Sequence, residues 1–354
     1  MKGMAVKTFL RNFDKQRRRL THQLEPKLAG WLNDDSLTVH DPMPHDQVKR
    51  ILIVRNNSRI GNMYFLLPFV HQVLRLYPNT KVDLLLNSSW QGEVFKNLGV
   101  NQIHYSNLSF KSPDKALATI RLLKREKYDL LFAPTAGACD TFLSAVIPAK
   151  NKIAFKKVKT EQVFTHSSVS DSPFRHGAYK PLSILEAMGH ELDNALDHHI
   201  VLDSKELSSG IQQARKLREE GKPSFAFFRG ARGKKKLSDH AWLTILAEFE
   251  RKQGQSVNWV EVLSPDIQQP LLKGSRTLAC KDLRQLGATL RYLDGFLCCD
   301  TGPLHLADAA GATCFGFYTE TCPQRFGLMG EKCHAIRLFL SEEQAEFEPV
   351  LRMA

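Results

Sequence analysis

The chain has 354 residues, of which 43% are hydrophobic, and its 49 lysines and arginines against 37 acidic residues give a formal net charge of +12. This composition excludes collagen-like, low-complexity and disordered proteins, and the length favours two domains. No apolar run approaches the roughly 18–20 residues that a membrane span needs, and no uninterrupted apolar segment follows the basic start. We therefore expect a soluble protein that remains in the cytoplasm.

The seven cysteines are an odd number and include no CxxC pair. In a chain of this length, that pattern argues against both a disulfide framework and a zinc site. We expect reduced thiols that are mostly buried.

A basic N-terminal arm is predicted over residues 1–48. Residues 1–30 carry eight lysines and arginines against Asp14 and Glu25, so half of the net charge lies there. Apolar residues between these charges predict an amphipathic helix. Such a helix binds an anionic membrane surface or lies on the first domain as a solvated helix, and we take the membrane as its partner. Nucleic acid is disfavoured because the chain lacks zinc-finger, RRM and KH signatures.

Residues 49–200 are predicted to form a first domain of alternating strands and helices. The expected strands are Ile51–Val54, Val82–Leu86, Gln102–Tyr105, Tyr128–Phe132 and Lys152–Phe155, and the expected helices are Met63–Leu76, Gln91–Leu98, Asp114–Glu126 and Pro181–Met188. Apolar strands between amphipathic helices indicate a parallel sheet covered on both faces. Residues 157–177 lack periodicity, which predicts a long active-site loop or a stretch that crosses the interdomain cleft.

A polar connector over Asp193–Asp203 leads to a second domain, residues 201–354. His198 and His199 are interpreted as linker residues because no third metal ligand is near them in sequence. The expected strands of this domain are Phe225–Phe228, Val257–Leu263, Gly295–Cys299 and Thr313–Tyr318, and the expected helices are Asp239–Arg251, Asp282–Leu293 and Pro303–Ala310. The fold class is therefore α/β, with two tandem Rossmann-like parallel-sheet domains whose strand ends face a central cleft.

The strongest local motif runs from Cys299 to Leu306 and contains Asp300, Thr301, Gly302 and His305. An apolar strand ends at an acid, Thr-Gly forms the turn, and a proline opens the next helix. The free N–H groups of that helix form an anion site, to which the threonine hydroxyl adds a donor. The alternative is an ordinary turn in which Asp300 caps the helix and His305 lies on the helix surface.

A second strand end has the same character. Phe228 is followed by Arg229, Gly230, Ala231, Arg232, Gly233, Lys234, Lys235 and Lys236. Glycines let the backbone approach a ligand, and five basic side chains concentrate positive potential beside it. An exposed basic loop is the alternative, but two turns suited to phosphate binding in one domain favour a nucleotide diphosphate site.

The turn after the first strand, Arg55 to Asn62, contains a glycine but neither GxGxxG nor the Walker pattern. It therefore indicates neither a Rossmann dehydrogenase nor an NTPase. The chain also lacks DxD, typical of metal-bound sugar nucleotides, and GxSxG, typical of hydrolases. We expect a mechanism without a metal ion.

Together these motifs resemble the lipopolysaccharide heptosyltransferases, the ADP-heptose-using glycosyltransferases of family nine. The resemblance covers about residues 50–338. The family turn (R/S)-x-G-D is similar to Arg59–Asn62, its Gly-Ala-Ser turn to Gly230–Arg232 with a lysine at Lys236, and its D-T-G-x-x-H-L-A-A-A-x-G motif to Asp300–Gly311. The last of these is the most specific.

The resemblance implies a GT-B fold and an inverting, metal-independent transfer from ADP-heptose on the second domain to a lipopolysaccharide core acceptor on the first. It places the protein peripherally on the cytoplasmic face of the inner membrane, with no cofactor besides the donor. The implied donor and phosphate contacts are Gly230, Ala231, Arg232, Lys236, Asp266, Thr301, Gly302 and His305; the acceptor contacts are Arg59, Gly61 and Asn62; and the catalytic positions are Asn62, Lys236 and Asp300.

Two departures from the family pattern concern the chemistry. The family acid that serves as general base is Asn62 here, and an amide orients a hydroxyl but cannot accept its proton. The later Thr-Asp-Pro is Thr321-Cys322-Pro323. The protein is therefore interpreted as an active transferase that uses another base or acceptor. The alternatives are a donor-binding member with lost or altered transfer, a GT-B enzyme with another donor, and a nucleic-acid-binding protein.

Overall fold

The computed structural model describes residues 43–106, 113–135, 137–155, 163–168, 172–339 and 350–353. Most of the predicted basic arm, residues 1–42, lies outside this part of the chain, so its helix and its partner stay predictions. No helix in the described ranges is long and apolar enough to cross a bilayer.

The first sheet has six parallel strands in the order β3-β2-β1-β4-β5-β6. Its strands are β1 (Arg50–Arg55), β2 (Lys81–Leu86), β3 (Gln102–Tyr105), β4 (Tyr128–Ala133), β5 (Ala149–Phe155) and β6 (His166–Ser168). The accompanying helices are α1 (Gly61–Tyr64), α2 (Leu67–Leu76), α3 (Pro113–Arg125), α4 (Ala138–Val146) and α5 (Ser183–Ala187). Central β1 is buried on both faces, which explains its unbroken apolar run.

The second sheet has seven strands in the order β13-β12-β11-β10-β7-β8-β9, and only the β12–β13 pair among them is antiparallel. Its strands are β7 (Ser224–Phe228), β8 (Asn258–Leu263), β9 (Arg276–Ala279), β10 (Gly295–Cys299), β11 (Cys314–Tyr318), β12 (Cys333–Phe339) and β13 (Val350–Met353). Its helices are α6 (Ser204–Leu217), α7 (Asp239–Gln253), α8 (Leu283–Leu290), α9 (Gly302–Ala309) and α10 (Pro323–Phe326).

The two sheets repeat one strand order. In the first sheet β1 is central, β2 and β3 follow on one side, and β4 begins the other side. In the second sheet β7 is central, β8 and β9 follow on one side, and β10 begins the other side. The order therefore reverses between β1 and β4 in the first sheet and between β7 and β10 in the second. Ligands in open α/β sheets bind outside the carboxyl ends of strands at such switch points. The predicted fold class is confirmed, and both sheets fall within the predicted domain limits, which stay predictions.

The prediction of one continuous helix over Met63–Leu76 is wrong. The segment is broken into α1 and α2 because Pro68 lies in the first turn of α2, where a proline is accommodated and a new helix begins. The helix predicted over Gln91–Leu98 is a 3-10 segment, Ser89–Phe95. The left-handed backbone at Asn97, with φ 66°, and at Gly99, with φ 91°, follows this segment.

The loop predicted over 157–177 contains β6, which pairs with β5 at the edge of the sheet. Residues 156–162 and 169–171 lie outside the described part. The later residues of this stretch reach the second half, because Gly177 donates its amide to the Arg325 carbonyl at 2.8 Å. The crossing alternative is thus correct for that portion.

The connector histidines differ in environment. His198 is buried, and its Nε2 lies 3.4 Å from Asp308 Oδ1 on α9. His199 is exposed and contacts Asp197 at 2.8 Å. No cluster of three or more histidine, cysteine or acidic side chains suited to a metal is present in the described residues. The connector is anchored to α9 by the Ile200 amide, which donates to the Ala309 carbonyl at 2.9 Å, next to the buried His198.

The seven cysteines form no disulfide within the described residues. Cys298, Cys299 and Cys314 are buried, whereas Cys139 and Cys322 are exposed. The expectation that most of the thiols are buried is wrong, because four of the seven cysteines are half-buried or exposed.

Close packing of α6 on α8 supports the second half. A side chain at Gly210 would place its Cβ 2.5 Å from the Ala288 carbonyl oxygen. A backbone atom cannot move aside as a side chain can, so glycine is required at this contact.

Gly210→Ala should lower the free energy of unfolding by about 1–3 kcal/mol because overpacking at the α6–α8 contact outweighs the higher helix propensity of alanine. Urea unfolding followed by circular dichroism measures this change. Ser209→Ala, at the adjacent exposed position of the same helix, is the matched control. Equal stability of the two variants would contradict the packing account.

Candidate active site

The amino-terminal end of α9 lies at the switch point of the second sheet. β10 ends at Cys299, and Thr301 is the extended N-cap residue, with φ −143° and ψ 173°. Its side chain makes no capping hydrogen bond, and its hydroxyl instead contacts the Cys298 thiol at 3.2 Å. Pro303 has no N–H and the Leu304 amide donates to the Thr301 carbonyl at 3.1 Å. The Gly302 amide, which has no partner among the described residues, is the one left to an external acceptor, as in anion sites at helix N-termini. The alternative in which Asp300 caps this helix is wrong.

Asp300 instead joins side chains from three separate elements. Lys235 Nζ lies 2.5 Å from its Oδ2, and the Thr321 hydroxyl donates to the same oxygen at 2.5 Å. His305 Nε2 lies 3.1 Å from Oδ1 and donates to it in the tautomer that a carboxylate acceptor selects. The loop after β7, the loop after β11 and helix α9 are thus tied to one carboxylate.

These partners set the charge of the cluster. Burial raises the pKa of the Asp300 carboxyl, but hydrogen bonds from His305, Lys235 and Thr321 together lower it well below its usual value. Asp300 is therefore ionised at neutral pH and does not serve as a general acid. His305 is also buried, and its Nδ1 has no hydrogen-bond partner among the described residues.

The basic turn after β7 has a constrained backbone. A Cβ at Gly230 would lie 2.2 Å from Phe228 Cζ, and Gly233 has φ 61°. Lys235 is half-buried and reaches Asp300, whereas Lys236 and Arg232 are exposed. Sequence comparison selected Lys236 for the phosphate, and its role stays a prediction. The resemblance did not select Lys235, because sequence spacing does not show which of three neighbouring lysines reaches Asp300.

Arg229, another cation of this turn, has a structural role. It binds the fully buried Glu261 at 2.6 Å, Asp239 at 3.0 Å and the Gln269 carbonyl at 2.6 Å. Glu261 also accepts from the Leu271 amide at 2.5 Å. These contacts hold the loop after β8, where the predicted nucleoside contact Asp266 is exposed.

The switch point of the first sheet is also built on a buried carboxylate. Asp140 on α4 accepts from the Asn56 amide at 2.5 Å and from the Gly137 amide at 3.0 Å, and its Oδ2 lies 3.4 Å from Arg55 Nη1. Burial raises the pKa of Asp140 above its usual value, although Arg55 and the amides oppose this. Because both oxygens are engaged, Asp140 orders the turn and is not a free proton acceptor. Nothing in the local sequence of the turn pointed to it.

Asn56 extends the hydrogen-bond network of Asp140 towards the predicted acceptor turn, Arg59–Asn62. Its side chain donates to Ser106 Oγ at 2.7 Å and accepts from Asn87 Nδ2 at 2.7 Å. Arg59 is exposed, and its amide is held by Asn57 Oδ1 at 2.8 Å. The half-buried Asn62 lies in α1, directly after Gly61.

The two switch points meet in the structure. A Cβ at Gly302 would lie 2.3 Å from Ile60 Cγ2, and one at Gly61 would lie 3.4 Å from His305 Cδ2. The Phe65 ring packs edge-on against the His305 ring, with centroids 4.9 Å apart. The structure thus brings the predicted residues Gly61, Thr301, Gly302, His305 and Asp300 together, and it leaves Arg59, Arg232, Lys236 and Asp266 exposed on the adjoining loops.

Two parallel sheets with facing switch points are the arrangement of a GT-B glycosyltransferase. The structure is similar to a glycosyl transferase family 9 protein from Veillonella parvula, with a TM-score of 0.70 and 16% identity, covering 83% of this chain and 88% of that one. For the E. coli heptosyltransferase WaaC with ADP, the TM-score is 0.64 at 15% identity, and the match covers 82% of this chain and 93% of that one. For E. coli ADP-heptose LPS heptosyltransferase II, the TM-score is 0.63 at 15% identity, and the match covers 83% of this chain and 92% of that one.

Residues 116–353, about two thirds of the chain, match the family profile of glycosyltransferase family 9 (heptosyltransferase). The protein belongs to this family and is a glycosyltransferase. A comparison with curated proteins gave no match. At the identities above, the solved structures establish the shared fold.

Asp300→Asn should lower the free energy of unfolding at pH 7 by about 1–3 kcal/mol, because hydrogen bonds to a charged group are lost. The folded-state pKa of Asp300 is lower than the unfolded-state value, so its contribution is complete above that value and is lost as the pH falls towards the folded-state pKa. The difference between parent and variant should therefore shrink by about 1 kcal/mol per pH unit below about pH 4.

Denaturant unfolding at several pH values measures this difference. Asp266→Asn, at an exposed aspartate of the same half, is the control and should leave stability unchanged. A difference for Asp300→Asn that is independent of pH would contradict the ionised cluster.

Proposed function

We propose that the protein transfers a heptose from ADP-heptose to the core of lipopolysaccharide, with inversion at the anomeric carbon and without a metal ion. The observation that carries the proposal is the α9 N-terminus, which Thr301 does not cap with its side chain and which lies beside Lys235 and the turn around Gly61. Family membership supports transfer, and the E. coli structures with ADP and ADP-2-deoxy-2-fluoro heptose support the donor class.

The donor diphosphate is proposed to lie at α9. The Gly302 amide and the Thr301 hydroxyl donate to its oxygens, and the positive end of the helix adds a fixed field. Lys236 approaches the departing phosphate from the exposed side of the basic turn, while Lys235 is held by Asp300. Since lysines and helix amides meet the charge, the step needs no metal ion and no cofactor. Such preorganised charge lowers a barrier by several kcal/mol.

The acceptor is proposed to bind at the turn of Arg59, Gly61 and Asn62. Its hydroxyl oxygen attacks the anomeric carbon while the bond from that carbon to the diphosphate oxygen breaks, and ADP leaves with the electron pair. A single displacement of this kind inverts the configuration. Asn62 orients the hydroxyl but cannot take its proton.

His305 is proposed to take that proton. The ring is held through Nε2 by Asp300, its Cδ2 edge faces Gly61, and its buried Nδ1 has no hydrogen-bond partner among the described residues. The ring must rotate, or the turn at Gly61 must open, for the acceptor hydroxyl to reach Nδ1. An Asp300–His305 pair is then the general base in place of the family acid.

The location and partners follow from this substrate. A lipopolysaccharide acceptor places the protein on the cytoplasmic face of the inner membrane, where the basic arm and the first half would contact anionic lipid. Nucleic acid is not a partner in this account. The similar proteins described above are transferases, so the alternative of a donor-binding member without transfer draws no support from them.

The direct experiment incubates the purified protein with ADP-heptose and heptose-deficient lipopolysaccharide, and follows ADP release and acceptor mass together. A mass gain of one heptose matched by ADP establishes transfer. Thermal stabilisation by the donor without any mass gain would refute the proposed acceptor or the transfer step itself.

Lys236→Ala should lower kcat/KM for transfer at least about tenfold, because one cation on the leaving phosphate is lost. Its melting temperature should stay near that of the parent, since the side chain is exposed. Lys235→Ala is the matched comparison and should also lower the melting temperature, because Asp300 loses its ion pair. Equal activity of Lys236→Ala and the parent would remove Lys236 from the site.

His305→Gln should lower kcat by about 10²–10⁴ because glutamine retains a donor for Asp300 but accepts no proton. Adding Asn62→Asp should restore part of this loss, since it supplies a carboxylate at the acceptor turn. Asn62→Asp alone should fold normally and keep or increase transfer. A kcat for His305→Gln within a few-fold of the parent would exclude His305 as the base, and pH–rate profiles of the variants identify the titrating group.

A further inference from the structure

Helix α3 exposes large apolar side chains that no part of the proposed transfer uses. Leu117 is 46% exposed and Leu122 is 47% exposed, the highest values among the large hydrophobic residues of the described chain. Singly exposed apolar side chains are ordinary on a protein surface, so these leucines are informative only together with the charged residues around them.

Cations surround these leucines. Lys115, Arg121, Lys124 and Arg125 are all exposed on the same helix. At about 100° per residue, Leu117 and Leu122 lie about 140° apart, with Arg121 and Arg125 between them. The fully buried Leu123 lies on the opposite side and packs under the first sheet, so the mixed face points outward. Asp114, three residues before Leu117, reduces the charge of the four cations to a net +3, whereas Glu126, just after the helix, is paired with Arg50.

We propose that this outward face of α3, formed by Lys115, Leu117, Arg121, Leu122, Lys124 and Arg125, docks on a surface of anionic phospholipid. Leucines enter the boundary between headgroups and acyl chains, while the long stems of lysine and arginine lie on apolar surface and their charges reach the phosphates. A phosphate-rich nucleic acid would match the cations but leave both leucines in water. The charge and the apolar area together therefore favour lipid.

The place of α3 in the sheet fits a membrane-bound acceptor. The helix follows β3, and Thr119 on it donates to the Tyr105 carbonyl at the end of that strand, at 3.0 Å. Its first turn therefore lies at the carboxyl edge of the sheet, the edge that also carries the turn of Arg59 and Gly61. The inference rests on the proposed function only in taking the acceptor to be lipid-anchored.

The test is co-sedimentation of the full-length protein with phosphatidylcholine vesicles, with and without phosphatidylglycerol. The double variant Leu117→Gln/Leu122→Gln should partition about tenfold more weakly onto anionic vesicles, because two leucines no longer enter the interface. Glutamine is a good helix former, so α3 is preserved. Arg121→Gln/Arg125→Gln should weaken binding at low salt by at least about tenfold, and this difference should shrink as salt is added.

Leu243→Gln is the matched control. Leu243 on α7 is 41% exposed, but the exposed Asp239 lies four residues before it on the same face, so no anionic surface should bind there. This variant should partition like the parent. Leucine variants that also partition like the parent would overturn the proposal and leave the basic arm as the binding element. Parental binding to anionic vesicles that is removed by duplex DNA, with the leucine variants unaffected, would overturn it in favour of nucleic acid.

Transfer to a delipidated core oligosaccharide separates this inference from the proposed function. The leucine variants should keep parental transfer to that water-soluble acceptor. Absence of transfer in the parent would refute the proposed function, while the vesicle comparison would still decide the docking face.

Discussion

The buried carboxylate of Asp300 is the interaction on which the site depends. It lies between β10 and α9 and holds Lys235 from one loop, Thr321 from another and His305 from the helix. A buried carboxylate is tolerated only when its partners offset the cost of leaving water, and here they keep it ionised. Because Lys235 lies 65 residues before Asp300 and Thr321 lies 21 residues after it, the carboxylate fixes the loops around the α9 N-terminus before any ligand binds.

A buried carboxylate also holds the turn at the switch point of the first sheet. Asp140 fastens the turn after β1 from a position 84 residues along the chain from Asn56, as Asp300 fastens the turn after β7. Each carboxylate lies where the strand order of its sheet reverses. Each sheet therefore carries a preorganised turn at the carboxyl ends of its strands. The contact of Gly61 with His305 and of Ile60 with Gly302 brings the two turns together. With the donor and the acceptor bound at these turns as proposed, the two sugars would lie close together, as direct transfer between them requires.

Much of the fold was readable from sequence because its strands are continuous apolar runs ended by polar turns, and the Asp300–Gly311 motif located the second switch point. Apart from α6, what was missed has physical causes. α6 was missed although its sequence carries two usable signals, an apolar stripe of Leu207, Ile211, Ala214 and Leu217 and the Asp203–Glu206 capping box. The break between α1 and α2 depends on Pro68. The choice of Lys235 over its neighbours, and the role of Asp140, depend on tertiary contacts that local sequence does not encode.

A crystal structure of the protein with ADP tests the central claim most directly, because the claim concerns where the diphosphate lies. The account predicts a diphosphate oxygen about 3 Å from the Gly302 amide, with the basic turn beside it and the turn at Gly61 across the cleft. ADP bound away from the α9 N-terminus, or a diphosphate held by the turn after β1, would contradict it.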